Sequence, residues 1–340
     1  MDEEISLAHG AGGEAYRQMV QEIFIPGYGS PELSQLGDSA VLPGPGQSGE
    51  LAFTTDSFVV WPLFFPGGDV GSLAVSGTVN DLAVAASVPR YLSVAMIIEA
   101  GFPTKTLQRI AASIAATAQK AGVRVVTGDT KVVEHGRADG IYITTSGVGT
   151  FDGGWRRPDQ QVRDGDVLLV SGPLASHGVA VMAAREQLEF NPPLQSDARP
   201  LAGLIRSLLA SGLSVHAMRD PTRGGLGATL CEWADSSGLC LTVQEDALPV
   251  RADVRAACAL LGLDPLFCAN EGVVVLALPA AQAAAALACL KAHPDGQAAA
   301  IVGQVTAGQP GLPGHVSLDT GYGTLRRVTL PAGDILPRIC

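Results

Sequence analysis

Apolar runs of strand length alternate with helical runs along most of this chain, and the alternation breaks once, at Phe151-Asp152-Gly153-Gly154. Before the break, the spacing of apolar residues predicts a helix over 14–24, a strand over 51–60 and a helix over 70–86. A strand over 90–98, a helix over 105–121 and strands over 123–127 and 141–149 follow. After the break come a strand over 166–171, a helix from Ser176, a helix running to Ser236, another ending near Leu261 and a buried strand over 273–278. The Ala-rich stretch 280–289 reads as one buried helix. Such a pattern folds as α/β (α+β), with mixed sheets covered by helices. At 340 residues the chain is too long for one ordinary core. We expect a domain over 1–152, a second over 153–330, and a flexible tail over 331–340.

Charge and cysteine usage exclude several classes. The 33 acidic residues outnumber the 22 basic ones, giving a net charge of -11, which argues against nucleic acid and anionic membrane as partners. No run of about 20 apolar residues is free of breakers, so no membrane span is expected. The six cysteines, at 231, 240, 258, 268, 289 and 340, contain no C-x-x-C pair that would signal zinc or a redox motif. With no signal-peptide pattern at the start, free thiols in a reducing cytoplasm are expected. Cys231, Cys240, Cys258 and Cys289 have apolar neighbours and read as core fillers.

Short carboxylates recur in the first half, each flanked by small polar residues: Gly37-Asp38-Ser39, Thr55-Asp56-Ser57, Asn80-Asp81 and Gly128-Asp129-Thr130-Lys131. Any one of them alone reads equally as a turn or cap. Together, clustered carboxylates cannot all stay ionised without counter-charge, and a hard divalent cation supplies it. Magnesium bridging a nucleotide's phosphates accounts for the set, with Lys131 as a further phosphate or substrate contact. Asp81 stands among Val79, Leu82, Ala83 and Val84, so it should have a partner. Asp129 and Lys131 are expected at the carboxyl edge of a strand, where α/β sites lie. Two glycine-rich helix starts, Gly10-Ala11-Gly12-Gly13 and Thr222-Arg223-Gly224-Gly225, suit anions, although plain turns would look the same. Glu271, in Asn270-Glu271-Gly272 at the mouth of an apolar strand, is either a base with a raised pKa or an exposed turn residue.

The chain closes on Pro337-Arg338-Ile339-Cys340. A thiol at the tip of a Pro-stiffened apolar tail can be presented to a second protein, and an exposed free thiol asks for a reason. The alternative is a frayed terminus. Prenylation is excluded, because that signal needs Cys four from the end.

In their order, these motifs resemble the superfamily of aminoimidazole ribonucleotide synthetase, selenophosphate synthetase and thiamine monophosphate kinase. The terminal Pro-Arg-Ile-Cys is similar to that of one branch, the HypE family of hydrogenase maturation proteins. The resemblance implies two PurM-like domains, with N-terminal sheets paired in a homodimer. It implies ATP bound by Gly12, Gly13, Asp38, Thr55, Asp56, Asn80, Asp81, Gly128, Asp129, Thr222 and Gly224. Magnesium would be held by Asp38, Asp56, Asp81 and Asp129. The implied reaction is ATP-dependent dehydration of a carbamoyl group on Cys340 to a thiocyanate, with Lys131 polarising the oxygen and Glu271 taking a proton. The implied partners are the carbamoyltransferase HypF, which loads the thiol, and the HypC–HypD iron scaffold, which receives cyanide for the [NiFe]-hydrogenase centre. The alternatives are a selenophosphate synthetase-like or thiamine phosphate kinase-like phosphotransferase, or a carrier without catalysis. No cysteine before 231 and no kinase role for a terminal thiol weigh against the first two. The retained carboxylates weigh against the third.

Overall fold

The computed structural model describes residues 5–10, 13–44, 49–308, 314–331, 336 and 338–340. The first helical run comprises α1 (Glu14–Met19), a π-helical turn (Val20–Phe24) and α2 (Ile25–Tyr28), so the helix expected over 14–24 is present, passes into π geometry and continues one turn further. The strands β1 (Ala40–Pro43) and β2 (Glu50–Phe58) lead into a small hairpin, β3 (Phe64–Phe65) and β4 (Gly68–Asp69). Then come α3 (Val70–Val84), β5 (Val88–Glu99), α4 (Thr104–Ala121), β6 (Arg124–Val133) and β7 (Ile141–Thr150).

These elements make a five-stranded sheet in the order β1-β2-β7-β5-β6, antiparallel except for the β5–β6 pair. Thirteen of the fifteen residues of α3 are buried, because it lies between the sheet, α4 and the second domain. Its start is fixed by a capping box: Asp69 Oδ1 accepts from the amides of Gly71 and Ser72, and Ser72 Oγ accepts from Asp69 N–H. Opposite the helices the described residues leave the sheet uncovered. Phe53, Tyr91 and Ile97 on that side are 42–45% exposed, and every residue of β6 from Arg124 to Val132 is exposed.

The second domain runs β8 (Asp166–Val170), α5 (Ser176–Arg185), α6 (Ala202–Ala210), β9 (Ala217–Arg219), α7 (Gly225–Ser237), β10 (Cys240–Gln244) and α8 (Ala252–Leu261). It continues with β11 (Val275–Pro279), α9 (Ala283–Ala292), β12 (Ala300–Thr306), β13 (His315–Asp319) and β14 (Leu325–Val328). The seven strands order as β14-β13-β10-β12-β8-β11-β9, with β10 and β13 parallel. The Ala-rich helix α9 buries only Ala283, Ala286 and Leu290, so it covers the sheet with one face. Cys231 and Cys258 are buried as expected, whereas Cys240 and Cys289 are only half-buried. Among the described residues no helix is long and apolar enough to cross a membrane.

The two domains share cores. Ala83, Val84 and Ala86 at the end of α3 pack with Leu169, Leu201, Leu204 and Met218. The connector adds polar struts. Gln160 donates to the Val84 carbonyl and accepts from Met218 N–H, each at 3.0 Å, and Trp155 Nε1–H donates to the Ala86 carbonyl at 2.9 Å. At the other end of the molecule, Arg17 of α1 pairs with Asp235 of α7.

Candidate active site

Strand alternation puts Thr54 and Asp56 on the side of β2 that faces α3. Gly77 of α3 makes room there, since a Cβ at that position would lie 2.9 Å from the Phe58 ring and 3.5 Å from Asp56 Oδ2. The Thr54 hydroxyl lies 2.7 Å from Asp81 Oδ2 and 2.8 Å from the Asp38 carbonyl oxygen, so it is the partner that Asp81's apolar setting requires. Arg219, the last residue of β9, brings the second domain in. It pairs with Asp38 at 2.7 Å and with Glu232 at 3.1 Å. The next residue, Asp220, is 7% exposed and leaves Oδ2 without a hydrogen-bond partner among the described residues.

This cluster carries more negative charge than its surroundings compensate. Burial, then the neighbouring Asp56, Asp220 and Asp38, push the Asp81 carboxyl well above the usual range. Burial followed by Asp38 does the same to Asp220. Asp38 and Asp56 are also raised by burial, with Arg219 and Arg223 respectively opposing. Among the described residues no three acidic, His or Cys side chains already form a metal cage. Even so, a buried, under-compensated carboxylate group with an orphaned oxygen is the donor set a hard cation neutralises. The residues fit magnesium on that chemistry, with Asp220 as an acidic member in addition to Asp38, Asp56 and Asp81.

Glu271 lies 2% exposed in a loop clamped from three sides. Asp197 Oδ2 accepts from the amides of Glu271 and Gly272, and Asn270 ties Ala175 N–H to the Pro221 and Cys268 carbonyls. Gly272 is required, because a Cβ there would sit 1.9 Å from the Asp197 carbonyl oxygen. Glu271 Oε1 has no hydrogen-bond partner among the described residues. Burial, with Asp220, Asp197 and Asp56 adding and Arg223 opposing, raises its pKa well above the ordinary value. The turn reading is therefore excluded: this is a buried carboxyl.

The end of the chain docks here. Val59 N–H donates to a main-chain oxygen of Cys340 at 3.0 Å and Trp61 N–H to the Arg338 carbonyl at 3.3 Å, while Arg338 Nε–H returns a bond to the Val59 carbonyl at 3.0 Å. Ile339 is 3% exposed and joins the core around Phe58, Val60 and Phe65. Rather than a freely presented thiol, Cys340 is half-buried against this core. Burial pushes its pKa up to about 12; Arg223 opposes, and Glu271 and Asp56 add. The docked thiol is thus protonated, and the pocket favours neutral sulfur over thiolate.

The residues expected from sequence divide between two places. Asp38, Asp56, Asp81, Glu271 and Cys340 converge. Thr55 does not: alternation turns it to the open face, where it bonds the Thr145 carbonyl and Ser146, and Thr54 takes its place. Asp129 and Lys131 do not join either. Strand β6 runs on through Gly128-Asp129-Thr130-Lys131 instead of ending there, because Gly128 allows close approach to β5; a Cβ would lie 2.3 Å from the Val94 carbonyl oxygen. Asp129 sits on the open side in the row Ser57–Thr144–Ala95–Asp129, three strands from β2, and pairs with Lys131 at 2.8 Å. That hydrogen bond lowers its pKa. Asn80 holds backbone instead of facing the cleft: Nδ2 donates to the Arg199 and Glu271 carbonyls, and Oδ1 accepts from Leu201 N–H. Gly12 lies outside the described residues. Gly13 abuts the Pro331 carbonyl, with 2.9 Å to a Cβ. The Gly224 N-cap has φ 79° and the Gly225 amide is taken by Thr222 O, which narrows the anion site expected there. Sequence reasoning missed Arg219, Asp220 and Arg223 as site residues, although Arg223 lies within the Thr222-Arg223-Gly224-Gly225 helix start it singled out and the other two lie just before it.

A two-domain α/β protein in which both domains contribute to one acidic cleft, closed by its own thiol-bearing tail, is the class this geometry defines. Residues 36–151 match the model of the AIR synthase related protein N-terminal domain, and residues 163–312 match the corresponding C-terminal domain. The carbamoyl dehydratase HypE of Azotobacter vinelandii is 47% identical over 336 residues, 99% of this chain and 97% of that protein. A HypE–HypF complex contains a chain with TM-score 0.84 and 42% identity, covering 92% of this chain and 99% of that one. A HypE bound to ATP matches with TM-score 0.81 and 40% identity, covering 99% and 100%. This chain belongs to the HypE family of hydrogenase maturation proteins.

Proposed function

We propose that this protein dehydrates a carbamoyl group carried on Cys340, converting S-carboxamide to thiocyanate at the expense of ATP. The observation that carries the reading is the docking of Cys340 beside Glu271 and Arg223, at the edge of the carboxylate cluster. The carboxamide oxygen attacks the γ-phosphorus and ADP departs. Loss of one nitrogen proton gives the imidate phosphate, and loss of the second with phosphate leaves the nitrile. Glu271 is the group placed to take a proton, and Arg223 lies on the same sulfur-bearing side. A positioned base contributes about 10²–10⁴-fold. Magnesium held by Asp38, Asp56 and Asp81, with Asp220 adjoining, would neutralise charge on the nucleotide's phosphates. A pocket that raises the thiol pKa suits the neutral S-carboxamide and opposes loading in place, so the tail is loaded undocked.

The loading partner is a carbamoyltransferase of the HypF kind, supported by the HypE–HypF complex among the similar structures. The receiver is an iron scaffold of the HypC–HypD kind. The open face of the first sheet is covered by a second copy, giving a homodimer. Since Asp129 and Lys131 lie three strands from β2 in their own chain, they take part in the reaction from the other copy. The test is the intact mass of the C-terminal peptide after incubation with carbamoyl phosphate, HypF and magnesium ATP. A carbamoyl adduct that loses one water only with ATP turnover is expected, and is absent in Cys340→Ser. An adduct that persists through ATP turnover refutes the dehydratase reading.

A further inference from the structure

Helix α5 touches the tail at both ends. His177, in its first turn, has no exposed surface; its Nε2 lies 2.8 Å from the Ile339 carbonyl oxygen and its Nδ1 2.8 Å from Ser196 Oγ. Arg185, at the far end, donates to the Arg338 carbonyl at 2.7 Å. These carbonyls belong to the peptide units immediately before Cys340, so fixing them fixes where the sulfur swings.

The hydrogen bonds fix the proton on one ring nitrogen, and burial sets the charge. A carbonyl only accepts, so Nε2 carries a hydrogen. Ser196 Oγ accepts the Ala198 amide at 3.0 Å and still has its own hydrogen to donate to Nδ1 when the ring is neutral. With Nε2 protonated, the neutral ring has Nδ1 as an acceptor. Burial lowers its pKa, outweighing Asp197 and the Ile339 contact, and agrees with that state. The edge-on Phe65 ring, 5.4 Å between centroids, fixes the plane of the imidazole.

We propose that His177, oriented by Ser196, is a positioning residue: a latch on the Ile339 carbonyl that sets Cys340 in register with Glu271 and the acidic cleft. This deepens the dehydratase reading, but the latch itself is tested without turnover. In the full-length protein, the rate at which iodoacetamide alkylates Cys340 is followed by peptide mass for His177→Phe, His177→Gln and Ser196→Ala. Phe keeps the ring and removes the donor, leaving a buried carbonyl unmet, so Cys340 should react roughly tenfold faster. Gln carries an Nε2 donor to the same depth and should stay within about twofold of the parent, and Ser196→Ala should fall between. ATP affinity should not change in any of them, whereas the dehydration rate should fall in the Phe variant and return in the Gln variant. Equal protection of Cys340 in all variants, or a Gln variant as reactive as Phe, overturns the latch. Should the Phe variant not fold, Ser196→Ala against His177→Gln decides in the same way. Altered alkylation with unaltered dehydration keeps the latch and instead sinks dehydration at the docked site.

Discussion

Replacing Asn80 with Ala separates two accounts of one residue. Sequence places Asn80 among the nucleotide contacts, while the structure has it bracing the second domain against α3. Its side chain is fully buried and makes three bonds. On truncation the Glu271 carbonyl keeps the Arg199 amide at 3.3 Å. Leu201 N–H and the Arg199 carbonyl lose their partners. An unmet buried backbone group costs roughly 1–3 kcal/mol, and Arg199, less deeply buried, falls at the low end, so the loss should be about 2–4 kcal/mol. At about 2–4 °C per kcal/mol for domains of this size, melting should drop by roughly 4–16 °C. Calorimetry with and without magnesium ATP is the assay, and ATP affinity should stay within about threefold. A melting temperature within 2 °C of the parent, together with a tenfold weaker ATP complex, would refute the reasoning and return Asn80 to the nucleotide.

Glu271→Gln should lower dehydration by about 10²–10⁴-fold and leave ATP affinity unchanged; equal loss of both, measured by single-turnover mass analysis and calorimetry, removes Glu271 as the base. Asp81, Asp220 and Glu271 keep their protons to higher pH folded than unfolded. Their contribution is fully present below the unfolded carboxylate range, near pH ~4, and is lost as pH rises through the raised folded values. Asp220→Asn should therefore flatten the fall in melting temperature from about pH 5 to 8 in the metal-free protein while weakening magnesium ATP binding; a steeper fall contradicts the sign. Mixing Lys131→Ala with Glu271→Gln chains, each inactive alone, should restore ~25% of parent activity if every site draws Lys131 from the other copy. No recovery in a mixture shown to exchange subunits rules that out.

Motifs local in sequence were legible: Asp38, Asp56, Asp81, the Glu271 loop and Cys340 reach one place, and the Asp129 motif does not. What depended on strand phase was not. Thr54 and Thr55 look interchangeable in sequence, and only the register of β2 against β7 sends one into the cleft and the other to the open face. Gly128 signals a turn and a close strand contact equally well, so the end of β6 was misjudged. Asp220 precedes a proline and reads as a turn, although burial makes it part of the charged cluster. His177 belongs to no motif; its role exists only because the tail returns across α5.

The connector struts bear on how the reaction cycle can run. Gln160 joins the last turn of α3, which holds Asp81, to the strand that ends in Arg219, and Trp155 pins Ala86, two residues beyond that helix. Both walls of the cleft are thereby parts of one frame, and opening it as a jaw would break a shared core. On the proposed reaction, in which Cys340 is loaded undocked, exchange falls to that thiol and not to the domains. The cleft then works as a fixed die into which a small tool is set and withdrawn, so its electrostatics need be arranged only once, at folding.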